Sequence, residues 1–213
     1  MFSQTNDLNG KRGLALNTPN TSTKYAWYAL WLLFLVNLLN YFDRNLITIL
    51  IEPIRKDLSL SLAQSGMLMG LAFALVYSVL GVPVARIADR GRPVTVLSAS
   101  LALWSGMTTL CGFANSFVTM FLARLGVGVG EAGGLPSTHA LVAEYFPPQK
   151  RGMAMSIVAV GGSLGLLLGL ILGGLMHGAF GWRYAFMIAG APGLLLAAVL
   201  ALTLREPRAA PAA

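Results

Sequence analysis

Cysteine, histidine and charge are all scarce in this sequence, and each scarcity closes off a class of protein. The single cysteine, Cys111, leaves no disulfide to form, and two histidines are too few for a Cys/His cluster at metal-ligand spacing. No HExxH, GxSxG or P-loop pattern occurs, and the glycine-rich stretches sit inside apolar segments rather than after strands, where a nucleotide fingerprint belongs. The sequence therefore calls for no cofactor and no metal, and it shows no enzyme's nucleophile with its base. Charged residues are 11% of the 213, against about a quarter in soluble domains. No cleavable leader is expected. Residues 1–23, MFSQTNDLNGKRGLALNTPNTST, hold no apolar core and read as a disordered cytoplasmic tail before a first helix that is its own targeting signal.

What is present is apolar length. Hydrophobic residues make up 56% of the chain, and runs of about 20 residues, enough to span hydrocarbon as a helix, fall near 25–51, 63–84, 94–114, 117–143, 153–176 and 182–204. The shorter alternating segments of a membrane barrel do not occur. The expected fold is an all-α integral membrane bundle of six transmembrane helices over 24–205, with residues 206–213 beginning a cytoplasmic linker. Loops such as GFANS are short, so successive helices should pack antiparallel with no catalytic domain between them.

Basic residues set the orientation, because Lys and Arg near helix ends stay on the cytoplasmic side. Lys11, Arg12, Lys24, Arg86, Arg90, Arg92, Lys150, Arg151, Arg205 and Arg208 share one side, against Arg55, Lys56 and Arg183 on the other. Both termini should be cytoplasmic. The net charge of +7 is then largely a topology signal; it points to anionic lipid headgroups rather than to nucleic acid, which needs a basic patch on a soluble face.

Four charges nonetheless sit deep inside apolar runs: Asp43 and Arg44 in the first segment, Arg124 and Glu131 in the fourth. Each costs a few kcal/mol at bilayer depth, so each should face protein or a watery cavity and have a partner. Adjacent residues on a helix point about 100° apart, so Asp43 and Arg44 cannot share one partner. Arg124 and Glu131, seven apart, return to nearly the same face about 10 Å apart along the axis, leaving room for a solute headgroup, water, or the two charges of the first segment. A carboxylate whose partner changes between conformations can couple a proton gradient to transport. A fixed ion network locking the two helices is the alternative; spacing alone leaves both open. His139 and His177 are further candidates for a proton path, or simply solvated.

In the fifth segment, Gly161, Gly165, Gly169 and Gly173 recur every fourth residue, a stripe that lets another helix approach closely. Pro136, just beyond Glu131, should break or kink the fourth.

The loop ARIADRGRPVTVL resembles the signature loop of the major facilitator superfamily, with Asp89, Arg90, Gly91 and Arg92 matching in kind and Ala85 where Gly is usual. EYFPPQKRGMAMSI, carrying Glu144 and Arg151, resembles the related acidic-to-arginine loop. NYFDR, RLGVGVGEAGGLPSTHALVAEYFPP and GWRYAFMIAGAPGLLLA together resemble the bacterial branch of spinster-like transporters, over about residues 25–208. The resemblance implies a transporter of the bacterial inner membrane, with no catalytic site. It implies that Asp43, with Glu131, handles the proton; that Asn40, Tyr41, Arg44 and Arg124 line the solute cavity; and that Asp89, Arg90, Arg92, Glu144 and Arg151 form a cytoplasmic gate. Transporters of this family have two six-helix halves. The chain is then expected to be the N-terminal half: a fragment, a half that pairs with a separate C-terminal half, or half of a homodimer. The expected partners are a small or lipid-like solute, protons, the bilayer and that second half. A non-transporting remnant or assembly partner is the alternative.

Overall fold

A computed structural model describes residues 22–71, 76, 79 and 92–206, and among these every regular element is helical. Helix α1 is Thr23–Asp57, 35 residues, roughly 50 Å at 1.5 Å per residue and so longer than the hydrocarbon it must cross. Ser22 caps its start by accepting from the Tyr25 amide, and Arg55 and Lys56 occupy its last turn, where positive charge suits the helix dipole. Ser61 and Gln64 form a reciprocal capping box that opens α2, Leu62–Gly66, which runs into a π-helical turn at Met67–Leu71. The rest of the expected segment at 63–84, apart from residues 76 and 79, lies outside the described residues, as do Asp89, Arg90 and tail residues 1–21.

Helix α3, Pro93–Cys111, starts with proline at its first position, where the missing N–H costs nothing. The GFANS turn ends in Ser116, whose capping box with Thr119 begins α4, Phe117–Glu131. Helix α5, Gly134–Tyr145, follows after a two-residue break. Pro136 has no N–H to offer the carbonyl of residue 132, and the chain tightens there: Gly133 bonds back only three residues, to Gly130, at 3.3 Å. The break expected from Pro136 thus falls directly behind Glu131.

Helix α6, Pro148–Thr203, is 56 residues with one non-helical residue, Gly181, at φ 83° and ψ 167°. That φ is available to glycine and strained for other residues, while a Cβ at Gly181 would meet nothing within 4 Å. The constraint is therefore in the backbone. The two arms run in opposite directions. In the first, Gly161, Gly165 and Gly169 meet Phe34, Leu38 and Phe42 in the same order along α1; in the second, Trp182 reaches Asp57 while Thr203 reaches Tyr25 and Tyr28. Among the described residues, four stretches are long and apolar enough to cross a membrane: Thr23–Asp57, Pro93–Cys111, Phe117–Tyr145 and Pro148–Thr203.

Among the described residues the core is in two apolar clusters. One gathers Leu30, Leu33, Leu97, Leu101, Trp104, Val127 and Leu200; the other gathers Leu46, Leu50, Cys111, Met120, Trp182 and Phe186. Between lipid and protein there is little hydrophobic gain, so close packing carries these contacts. The glycines of the first arm show how. A Cβ at Gly161 would lie 2.5 Å from the Phe34 carbonyl oxygen, and one at Gly165 would strike the Leu38 carbonyl. Gly173, further along, faces the Leu46 side chain.

Candidate functional site

Asp43, Thr108 and Arg124 fall at the level where one apolar cluster gives way to the other, and Glu131 lies two turns beyond Arg124 on α4. All four are buried: Asp43 1% exposed, Thr108 0%, Arg124 1% and Glu131 2%. Arg44, one residue along from Asp43, turns to another side, as the helical rotation requires, and its side chain stays 34% exposed.

The charges sort into two layers. In the outer layer Arg44 Nη2 donates to Glu131 Oε2 at 2.6 Å and Nε to the same oxygen at 3.2 Å. The Tyr41 ring lies under the guanidinium, 5.5 Å from centroid to Cζ, within cation–π range, and Asn40 lies beside the Glu131 carboxylate. In the inner layer Thr108 Oγ1 donates to Asp43 Oδ2 at 3.3 Å. Arg124 is within electrostatic range of both Asp43 and Glu131. Among the described residues, Asp43 Oδ1, Arg124 Nε and Nη1, and Glu131 Oε1 make no hydrogen bond of normal geometry.

Two adjoining cavities open beside the outer layer. The smaller, about 50 Å³, is lined by Asn37, Asn40, Tyr41, Arg44, Trp104, Glu131 and Thr138 among others. The larger, about 350 Å³, is lined by Asn37, Tyr41, Leu135, Met155, Val158, Gly162, Ser163 and Leu166. Asn40, Tyr41 and Arg44 line the smaller cavity, whereas Arg124, expected beside them, and Asp43 line neither cavity.

The residues expected at the gate are in part placed. Arg92 is the N-cap residue of α3 and makes no side-chain capping bond. Arg151 holds the C-terminal carbonyls of the α5 turn, donating to Ala143 O at 2.7 Å and Phe146 O at 3.1 Å. Glu144 lies in the last turn of α5. A residue the sequence reading passed over completes this end: Glu206 accepts from the amides of Val94 (3.1 Å) and Thr95 (2.7 Å) and from the Thr95 hydroxyl, capping α3. Thr108, Trp104 and Asn37 were also passed over. Their only sequence signal is polarity within an apolar run. His139 is exposed on α5, and His177 has a buried Nδ1 without a partner.

The family model for the Major Facilitator Superfamily matches residues 33–213. The chain belongs to the major facilitator superfamily. It is 42% identical over 188 residues to an MFS-type efflux pump of Mycolicibacterium smegmatis, covering 88% of this chain and 44% of that protein. It is 29% identical over 182 residues to a niacin transporter of Acinetobacter baylyi, covering 83% and 40%. Among solved structures it superposes with TM-score 0.84 and 38% identity on a bacterial homolog of the human lysosomal transporter Spinster in an inward-facing, occupied conformation, covering 88% of this chain and 46% of that one. The chain spans about half the length of the relatives it matches. With its long apolar helices and this family, it is a multi-pass membrane protein.

Proposed function

We propose that the chain is the N-terminal six-helix half of a secondary transporter that moves a small organic or amphiphilic anion by alternating access, coupled to protons, with both termini on the cytoplasmic side of a bacterial inner membrane. The observation that carries this reading is the two-layered charge cluster. Two carboxylates and two guanidinium groups cancel when all are ionised. A proton on one carboxylate leaves the cluster with one net positive charge beside a cavity, and an anion is the natural counter-charge.

In this reading Asp43 exchanges the proton, Thr108 orients its carboxylate, and Glu131 holds Arg44 until a solute competes for that guanidinium. Arg124, between the carboxylates, takes either as its direct partner as the conformation changes. Asp89, Arg90, Arg92, Glu144 and Arg151 govern the cytoplasmic gate, and the glycine row on the first arm of α6 gives α1 a smooth surface to rock against. Residues 1–23 are a cytoplasmic tail, residues 206–213 start the linker, and a second six-helix half completes the solute site. Relatives described as an efflux pump and a niacin transporter support transport of organic solutes. The cluster as a fixed strut in a non-transporting half-protein is the competing reading.

Solute counterflow in proteoliposomes separates the two. The full protein, reconstituted with a second half where that half is a separate chain, should exchange labelled organic anions such as nicotinate against an internal excess. No exchange of any anion in a panel, by a folded and paired assembly, leaves the strut.

A further inference from the structure

Gly162 does not belong to the seam its neighbours form. Gly161, Gly165 and Gly169 face the α1 backbone, but a Cβ at Gly162 would meet the side-chain amide of Asn37 at 2.8 Å and the Tyr41 ring at 2.9 Å. Both of those residues line both cavities, and with Leu135 they form the wall the two share. Asn37 is held in place by donating to the Val158 carbonyl at 2.8 Å. Tyr41 is held beneath Arg44, which in turn is held by Glu131. Neither has an easy retreat except into the cavities. A methyl group at position 162 therefore narrows the passage between them.

We propose that the two cavities are compartments of a single solute site, in which Gly162 and Asn37 set the width of the solute body that can follow a charged end to Arg44. This rests on the transporter reading above. The smaller compartment offers Asn40, Arg44, Thr138 and the Trp104 indole to a charged or hydroxylated end; the larger offers Met155, Val158 and Leu166 to an apolar body. The solute class is an organic anion with one polar end, sorted by the cross-section of the rest. Gly162 is a positioning residue and Asn37 a specificity-determining one.

The test is calorimetric binding to the full protein in lipid nanodiscs, using benzoate, naphthalene-2-carboxylate and anthracene-2-carboxylate as probes of one end and increasing width. Gly162→Ala should weaken naphthalene-2-carboxylate about tenfold relative to benzoate. Asn37→Ala should shift the ratio the other way, favouring the wider probes, and it decides the matter alone if Gly162→Ala does not fold. Unchanged ratios in both variants, or no binding of any probe to the wild-type protein, overturn the single-site proposal. Counterflow is read separately: exchange without the ratio shifts discards only this proposal, and ratio shifts without exchange discard only the transporter reading.

Discussion

The outer and inner charge layers contain the same kinds of group and solve the problem of burial differently. Arg44 and Glu131 meet in a short, doubly donated ion pair beside a cavity, with a third of Arg44 still exposed. Asp43 and Arg124 are buried between apolar clusters, within electrostatic range but with no direct hydrogen bond, and among the described residues Asp43 is hydrogen-bonded by the Thr108 hydroxyl alone. The outer pair borders a cavity and is directly bonded; the inner pair borders neither cavity and has no direct bond among the described residues. A structural strut is expected to look like the first. A group that must release and retake a charge is better placed in the second, because its alternatives are already close and its present bonds are weak.

The largest effect that can break this contrast comes from Arg124. Arg124→Leu leaves two buried carboxylates facing each other without their intervening cation, and should cost about 3–5 kcal/mol of stability, read as a large fall in unfolding temperature in detergent. Glu131→Gln strips the outer pair of its charge but leaves Arg44 partly solvated, so the expected loss is smaller, about 1–2 kcal/mol. A Glu131→Gln loss equal to that of Arg124→Leu contradicts the two-layer distinction. Thr108→Val removes one hydrogen bond to a carboxylate and should cost roughly 1 kcal/mol; no measurable change in stability or coupling shows that the hydroxyl does not hold Asp43. The smallest effect is outside the site. Asp57 accepts from the Trp182 indole and the Arg183 guanidinium at the other end of α1, both charged groups being well exposed, and Asp57→Asn should change stability by less than about 1 kcal/mol.

The four buried charges were legible in the sequence because a charge inside an apolar run is rare and its cost is known. Their pairing was not. The spacing of Arg124 and Glu131 placed them on one face of α4 with room between, but only the tertiary arrangement of the helices brings Arg44 to Glu131 and turns Asp43 toward Thr108 on α3. The glycine row was visible as a period of four, and Pro136 announced the break after Glu131. Gly162 was hidden because it lies off the period, and its role depends on two side chains from another helix. The reversal was visible as the gap between the apolar runs 153–176 and 182–204, but not that a single residue, Gly181, makes it. Glu206 escaped because it caps a helix that starts more than a hundred residues earlier, a contact that no local pattern encodes.

The central claim is that Asp43 carries the proton, and the most direct measurement is solute-dependent proton uptake into proteoliposomes under an imposed pH gradient, comparing wild type with Asp43→Asn in the same paired assembly. Asp43→Asn should keep anion counterflow but lose pH-driven accumulation and the accompanying proton flux. Proton flux that survives unchanged in Asp43→Asn contradicts it.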